Sequence, residues 1–303
     1  MSTAITYSRY GGPDVLTSTA VDIPRPGNGQ VRIRVRAVAV NPIDVKIRSG
    51  RMDGIIPVRF PVLPGWDVAG VVDAVGEGAS AAVGDEVFGA AAAGGYSEHA
   101  LLDRPIAKPE GLSWEAAAAV VTVGEAAFRV LKHLGLKAGQ TLVILGAGGS
   151  VGTIATQLAV ARGIRVIGTA AEGDLDRLGA LGAAAVRYGD GWSGRVREAA
   201  PGGVDAVFDT SGAGLLADAI DLAGDVARVI TIADDNFADH GVRFTGSDPA
   251  DRAPEALPQL AALIAGGGLS LPVWRSYPLA QASQAHADLE AGRNHGKIVL
   301  RVS

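Results

Sequence analysis

A glycine-rich segment in the middle of the chain offers the clearest chemistry. Residues 145–153 read Leu-Gly-Ala-Gly-Gly-Ser-Val-Gly-Thr and continue directly from the apolar run 141–145. Backbone N–H groups at the start of a helix bind phosphate when no side chain keeps it away, and glycine leaves that space open. The segment therefore predicts the pyrophosphate site of a dinucleotide, between a strand and a helix. The residues predicted to form it are Gly146, Gly148, Gly149, Ser150, Val151 and Gly152.

The adenosine end of such a site is predicted at the end of the next apolar run, where Thr169 and Ala170 would line it. A site selective for NAD usually ends this strand with an acid that binds the ribose 2′-hydroxyl. Ala170 occupies that place, and Glu172 comes two residues late. The missing acid removes a repulsion against a 2′-phosphate, to which Arg177 and Tyr188 are candidate donors. We therefore expect NADP to be preferred over NAD, although no lysine or arginine lies within 170–175.

The elements that must position these residues alternate between strand and helix. Short apolar runs typical of buried strands alternate with stretches typical of helices. Repeated units of this kind predict a parallel, doubly wound sheet in an α/β protein. The strands are predicted at 141–145, 165–169, 184–188, 205–209, 228–232 and 241–245. The helices are predicted at 113–134, 151–162, 175–181 and 215–222.

The first third of the chain has a different texture. Residues 30–40 and 65–75 alternate apolar and polar side chains, which is typical of half-buried antiparallel strands. Glycines and prolines separate these runs, so a small barrel or sandwich is predicted. The end of the chain predicts helices at 254–265 and 281–291 and a last strand at 297–302.

Composition excludes several classes of function. The 303 residues include no cysteine, which rules out disulfides, thiolate zinc sites, iron–sulfur clusters and cysteine nucleophiles. The net charge of −5 and the lack of a basic stripe argue against a nucleic-acid partner. No apolar run is long enough for a membrane span, and the first residues lack the features of a signal peptide. A cytoplasmic protein that acts on a small molecule is expected.

Several short motifs, in order, carry a resemblance to a known family. The chain resembles the zinc-free quinone oxidoreductase branch of the medium-chain dehydrogenase/reductase superfamily over nearly its whole length. The resemblance implies a GroES-like, partly open β-barrel domain at 1–117, completed by 252–303, and a Rossmann NADP-binding domain at 118–251. It also implies a homodimer. Besides the glycine loop, the motifs lie at 10–16, 41–50, 64–72, 84–89, 94–98 and 292–300.

The resemblance also implies where the nicotinamide end of the cofactor binds. Ser211 and Gly212 would line its ribose, Ile232 and Ala233 would hold its carboxamide, and Phe244 would line its pocket. One departure concerns the threonine that the family usually places in the helix after Gly124. Here that place is taken by Ala126, and whether Thr122 replaces it is left open.

Two positions bear on the presence of a metal. Zinc-dependent relatives hold their catalytic zinc with a cysteine where Asn41 stands and with a His-Glu pair where Trp66 and Asp67 stand. Since neither position matches, we expect no metal. A reaction without a Lewis acid favours substrates that are already activated, such as quinones and α,β-unsaturated carbonyls (enones).

The candidate catalytic residues follow from the same resemblance. The amide of Asn41 would donate a hydrogen bond to a quinone oxygen, and Tyr96 would donate a proton or a hydrogen bond. Asp44 would either hold the Asn41 loop or contact the cofactor. Trp66 would pack in the core or as a wall of the site, or stack on the substrate, and Arg51 would contact the substrate.

Together these features predict an NADPH-dependent, zinc-independent reductase of quinones or activated enones. Two alternatives stay open. One is an enoyl or ketone reductase of a biosynthetic pathway, which would share the fold and the cofactor. The other is a weakly catalytic NADP-binding protein that acts as a sensor or structural component.

Overall fold

A computed structural model of the chain describes residues 1–246 and 248–302. The chain divides into two compact units. The first comprises Met1–Thr122 together with the chain from Leu257 onward, and the second comprises Val123–Ala256. No helix among the described residues is both long enough and apolar enough to cross a membrane.

The strands and helices are numbered here in chain order. The strands are β1 (Ser2–Thr6), β2 (Thr17–Val21), β3 (Val31–Val40), β4 (Asp67–Val75), β5 (Glu86–Ala90), β6 (His99–Leu102), β7 (Ile106–Ala107), β8 (Thr141–Leu145), β9 (Arg165–Ala170), β10 (Ala184–Arg187), β11 (Ala206–Asp209), β12 (Val229–Thr231), β13 (Arg243–Phe244), β14 (Val273–Pro278) and β15 (Lys297–Arg301). The helices are α1 (Pro42–Arg48), α2 (Trp114–Leu134), α3 (Ser150–Ala161), α4 (Leu175–Ala180), α5 (Trp192–Ala199), α6 (Leu216–Ala223), α7 (Ala256–Ala265) and α8 (Ala282–Glu290).

The first unit is built on a sheet in the order β14-β15-β3-β4-β5-β7, with β6 also paired to β3. Strand β3 lies inside this sheet, because it pairs with β15, β4 and β6. Its alternate residues Val31, Ile33 and Val35 are buried in the core. Strand β15, from the end of the chain, pairs antiparallel with β3, and Ile298 lies opposite Val40. This register places the last strand beside the start of α1, which follows β3 directly.

The second unit contains a six-stranded parallel sheet in the order β10-β9-β8-β11-β12-β13. Numbered within the unit, this is the 3-2-1-4-5-6 order of a dinucleotide-binding sheet. In such a sheet, ligands bind at the carboxyl ends of the strands where the strand order reverses, which here is between β8 and β11. The glycine-rich segment follows β8 at that point.

The structure refines the elements expected from sequence. A single helix, α2, spans most of 113–134, and Ser113 Oγ accepts a hydrogen bond from Ala116 N at 3.1 Å, as a cap does. The strand expected at 241–245 is only two residues long. Helices α1 and α5 and strands β1, β2, β6, β7 and β14 were not predicted. Helix α1 has only seven residues, too few to show a helical period.

Candidate active site

The glycine loop has the shape that its sequence predicts. Gly146 has a φ of +78°, a conformation that favours glycine. A Cβ on Gly152 would lie 2.5 Å from Ala147 Cα and 2.6 Å from Gly146 O, so α3 can approach the loop only without a side chain there. The N-cap of α3 is Gly149, so no side chain of this residue occupies the start of the helix. The first N–H groups of α3, at Ser150 and Val151, have no acceptor within the helix and can serve a phosphate.

Neighbouring strands hold this loop in place. Thr169, at the end of β9, accepts hydrogen bonds from Ala147 N at 2.9 Å and, through its hydroxyl, from Gly146 N at 3.2 Å. Thr210, after β11, donates its hydroxyl to Leu145 O at 2.7 Å and to Gly146 O at 3.1 Å. The loop is therefore fixed from both sides of the point where the strand order reverses. A dinucleotide fits here because hydrogen bonds hold the backbone of the loop and its four glycines carry no side chain that would keep a phosphate away.

The structure gives Arg177 a role beside this loop. Its guanidinium donates to Gly148 O at 2.7 Å, to Thr153 Oγ1 at 3.1 Å and to Asp174 Oδ1 at 2.8 Å. Arg177 therefore braces the loop, and Asp174 balances much of its charge. Sequence reasoning did not predict a role for Asp174. In the structure its carboxylate lies close to the loop, since a Cβ on Gly148 would be 3.1 Å from it.

The other residues expected at the adenosine end lie on and after β9. Ala170 is buried as the last residue of β9, and its carbonyl accepts a hydrogen bond from Tyr188 N at 3.0 Å. The Tyr188 side chain is 56% exposed. It is therefore accessible to a ligand, and its role as a phosphate donor stays a prediction.

The residues expected at the nicotinamide end are organised by Asp209, the last residue of β11. One carboxylate oxygen accepts from Ser211 N at 2.9 Å, from Ser211 Oγ at 2.7 Å and from Gly212 N at 3.2 Å. The Asp209 carbonyl accepts from Ile232 N at 3.1 Å. A Cβ on Gly212 would lie 2.6 Å from Ala233 O, so the two loops touch. The structure therefore brings these four predicted residues together at adjacent strand ends.

Phe244 lies in β13, at the edge of the same sheet. Its ring packs against Phe237 with centroids 5.0 Å apart. The next residue, Thr245, is buried and hydrogen-bonded to Arg129, whose guanidinium also pairs with Glu125 at 2.9 Å. A buried ion pair on α2 therefore supports the segment that carries Phe244.

A second polar centre, the buried cluster, lies in the first unit and is made of Asn41, Asp67, Thr122 and Lys297. All but Thr122 are at most 3% exposed. Asn41 Nδ2 donates to Asp67 Oδ2 at 3.0 Å, and Lys297 Nζ donates to Asn41 Oδ1 at 2.6 Å. Thr122 donates its hydroxyl to Asp67 Oδ1 at 2.7 Å and its amide to Asp67 Oδ2 at 3.0 Å. The Thr122 hydroxyl is therefore engaged by Asp67.

A buried chain of hydrogen bonds adjoins this cluster. Asp44 Oδ2 accepts from Asn41 N at 2.8 Å and from the Tyr96 hydroxyl at 3.5 Å. Tyr96 Oη and His286 Nε2 are 2.9 Å apart, and His286 Nδ1 is 3.5 Å from Arg48 Nη1. Because arginine can only donate, Nδ1 accepts and Nε2 carries the proton. The donors therefore run from Arg48 through His286 and Tyr96 to Asp44.

Burial sets the protonation of this chain. It raises the pKa of Asp44 to about 7, with Lys297 acting in the opposite direction. Burial raises the pKa of Tyr96 well above its usual value, so its hydroxyl stays protonated. Burial and the charge of Arg48 lower the pKa of His286 to about 3, which keeps the ring neutral. Asp44 is therefore the member of this chain that exchanges a proton near neutral pH.

The cluster itself holds one ammonium and one carboxylate in contact with the same amide. Burial raises the pKa of Asp67 and lowers that of Lys297, and each residue opposes the shift of the other. Asp67 and Lys297 therefore stabilise each other's charged forms across Asn41. Sequence reasoning placed neither residue in the site, nor His286. The available signal was a lysine directly before the apolar run 298–300 of the last strand.

Two predicted substrate residues lie outside the buried cluster. Trp66 is 41% exposed, so the expectation that it packs in the core is wrong. It precedes β4, where the chain has not yet entered the sheet. Arg51 is also exposed, in the turn after α1. Among residues 1–246 and 248–302, no group of three or more histidine, aspartate or glutamate side chains is arranged to hold a metal ion.

Comparisons with known proteins agree on the family. The model of the alcohol dehydrogenase GroES-like domain matches 27–105, and a model described as zinc-binding dehydrogenase matches 181–300. A quinone oxidoreductase of Sus scrofa is 33% identical over 99% of this chain and 98% of its own. A 2-methylene-furan-3-one reductase of Solanum lycopersicum is 31% identical over 98% of this chain and 78% of its own.

A solved structure adds the three-dimensional match. The Escherichia coli quinone oxidoreductase complexed with NADPH has a TM-score of 0.89 and is 26% identical, covering 99% of this chain and 100% of that one. The chain therefore belongs to the medium-chain dehydrogenase/reductase superfamily, in its quinone oxidoreductase branch. The predicted α/β fold, with a GroES-like domain and a Rossmann sheet, is confirmed, and the protein is an oxidoreductase.

Proposed function

We propose that this oxidoreductase is a zinc-independent, NADPH-dependent reductase of quinones or activated enones. The observation that carries the proposal is that Asn41 and Trp66 stand where zinc-dependent relatives have metal ligands. Asn41 is part of a hydrogen-bonded cluster with Asp67 and Lys297, and Trp66 offers an exposed aromatic ring. An amide and an indole can orient a flat carbonyl substrate, but they are not zinc ligands.

The glycine loop is the proposed site of the cofactor's pyrophosphate. The first amides of α3 would donate to the phosphates of bound NADPH, and Arg177 keeps the loop in position through Gly148 O. Ser211, Gly212 and Ala233 stand at the strand ends proposed for the nicotinamide half. When bound, NADPH supplies a hydride to the substrate.

The chain's own contribution is to hold the substrate and to provide a proton. Asn41 would donate through Nδ2 to the carbonyl oxygen of the substrate, on which negative charge develops during reduction. Asp44 lies beside Asn41, from whose backbone N–H it accepts a hydrogen bond at 2.8 Å, and its pKa of about 7 lets it hold an exchangeable proton near neutral pH. Tyr96 is protonated and donates to Asp44, so it positions this carboxyl group. Water is the alternative proton source.

The test is NADPH oxidation with a panel of quinones and enones, with and without a chelator. We expect turnover that the chelator leaves unchanged, and loss of activity with the chelator would overturn zinc independence. Turnover of simple alcohols only would overturn the substrate class. NADPH binding without turnover of any substrate would favour the sensor alternative. The expected homodimer stays a prediction that light scattering would check.

The enone half of the proposal has its own support. The name of the Solanum lycopersicum relative describes reduction of a methylene group conjugated to a ketone. A pathway-specific enone reductase is therefore the second candidate. Comparing kcat/KM for a quinone with that for an enone under the same conditions separates the two.

A further inference from the structure

Lys297 is a buried charge that the proposed reaction does not yet use. It lies at the start of β15, and the pairing of Ile298 with Val40 brings it beside Asn41. Its side chain is almost fully buried, and Nζ donates to Asn41 Oδ1 at 2.6 Å and to Val40 O at 3.3 Å. Burying an ammonium costs free energy unless it is paired. The hydrogen bonds of Lys297 offset part of the free energy that its burial costs, and they indicate its role.

The contacts of Lys297 and Asp67 allow the Asn41 amide one orientation. Lysine can only donate, so it must face Oδ1, and a carboxylate can only accept, so it must face Nδ2. With the amide turned over, the ammonium would face two N–H groups and the carboxylate would face an oxygen. Both contacts would then be repulsive. The orientation of this amide is thus set by charges on both sides of it.

The fixed orientation leaves one donor. Nδ2 carries two hydrogens and gives one to Asp67. Among the described residues Nδ2 makes no second hydrogen bond, so its other hydrogen is left for a ligand at the start of α1. The ammonium on Oδ1 also draws electrons from the amide, which strengthens its N–H groups as donors.

We propose that Lys297 is a positioning residue that acts through Asn41, by orienting its amide so that an Nδ2 hydrogen is donated to the substrate oxygen. The inference rests on the proposed function, because it assigns the substrate oxygen as the acceptor. It makes the end of the chain necessary to the site, since the residue that orients Asn41 lies 256 positions away. It also assigns a role to Asp67, which is the second group that fixes the orientation of the Asn41 amide.

The test is a double-mutant cycle with K297M, N41A and N41A/K297M. In the wild-type background, we expect K297M to lower kcat by about 30-fold with a much smaller change in the KM for NADPH, as for loss of a donor to the reacting oxygen. In the N41A background, the same substitution should change kcat less than about 3-fold, because its target is gone. An equal loss in both backgrounds would overturn the proposal.

Two further variants separate positioning from stability. Lys108 is matched to Lys297 because it is also largely buried and paired with a carboxylate, Glu86, in the same unit. K108M should leave kcat unchanged. K297R retains a donor that can only face Oδ1, so it should restore most of the kcat lost in K297M. If K297M does not fold, the cycle is run with K297R, and a smaller loss that again requires Asn41 is expected.

The failure of this inference is distinguishable from the failure of the proposed function. If the wild-type protein turns over no quinone or enone, the proposed function fails. The same four proteins then give the coupling between Lys297 and Asn41 from urea unfolding, which needs no substrate. A favourable coupling there would support the oriented amide, and additive effects would overturn it.

Discussion

The glycine loop and the buried cluster are both polar sites at the end of a central strand, but they are built in opposite ways. The loop follows β8 and presents backbone amides, and its supports at Thr169, Arg177 and Thr210 lie at most 65 residues away along the chain. The buried cluster follows β3 and presents side chains. Its members come from four separate segments, and Lys297 is near the end of the chain.

The difference shows what each kind of site demands. A backbone site needs space, so its residues are small and contiguous, and their spacing is visible in the sequence. A side-chain site needs charges that cancel, and the partners can come from any strand that the sheet brings alongside. Loss of a residue should therefore act on cofactor affinity at the loop, and on pH-dependent stability in the hydrogen-bond chain that adjoins the buried cluster.

The largest expected effect concerns Asp44. Its pKa is raised from 3.8 to about 7 in the folded protein. The unfolded chain releases this proton above about pH 4 while the folded chain keeps it, so its contribution to stability is lost as pH rises from about 4 to 7. The shift of about 3 pKa units corresponds to about 4 kcal/mol. Urea unfolding of D44N should lack this loss, and D22N, at an exposed position, should retain it.

His286 should act in the opposite direction. Its pKa is lowered from 6.5 to about 3, so the unfolded chain takes up a proton that the folded chain refuses. Stability should therefore be lost as pH falls from about 6.5 toward 3, by about 3 kcal/mol between pH 7 and pH 4. H286Q should flatten this acid limb of the unfolding curve. H240Q, at an exposed histidine, should not, and equal curves for the two variants would contradict the burial argument.

At the glycine loop, the largest effect is expected from Gly152. The Cβ of G152A would overlap the backbone at Ala147, so α3 must shift away from the loop. A displacement of this kind should weaken NADPH binding by about 100-fold, measured by nicotinamide fluorescence. G179A is the matched control, because a Cβ in α4 meets nothing within 4 Å. Unchanged affinity in G152A would place the phosphates elsewhere.

The smallest effect is expected at Arg177. Its loss removes the brace on Gly148 O and a positive charge near the loop. R177M should weaken NADPH binding by about 10-fold and NADH binding by less, and the gap between the two cofactors in the wild-type protein should shrink at high salt. R197M, at an exposed arginine paired with Asp221, is the control. An equal loss of affinity for NADPH and NADH would show that Arg177 only holds the loop and does not recognise the 2′-phosphate.

The fold was largely predictable from sequence, and so was the loop. Strand β8 was predicted with its observed bounds, because four consecutive apolar residues follow Thr141 and end at a glycine. Helix α1 was not predicted, because its seven residues, which begin with Pro42, are too few to show a helical period in the sequence. Trp66 was expected in the core, as a wall of the site or stacked on the substrate; its exposed ring excludes only the first, and the other two stay predictions.

The sequence by itself determined where a phosphate can approach the backbone. The absence of a side chain at residues 146, 148, 149 and 152 is a local matter of residue size, and at Gly152 a Cβ would lie 2.5 Å from Ala147 Cα. Only the tertiary structure decided which side chains surround Asn41. The pairing of β15 with β3 brings Lys297 to it, and burial then raises the pKa of Asp44 and lowers that of His286. Long-range pairing and the loss of water act on residues that are distant in the chain, so their spacing in the sequence carries no trace of either.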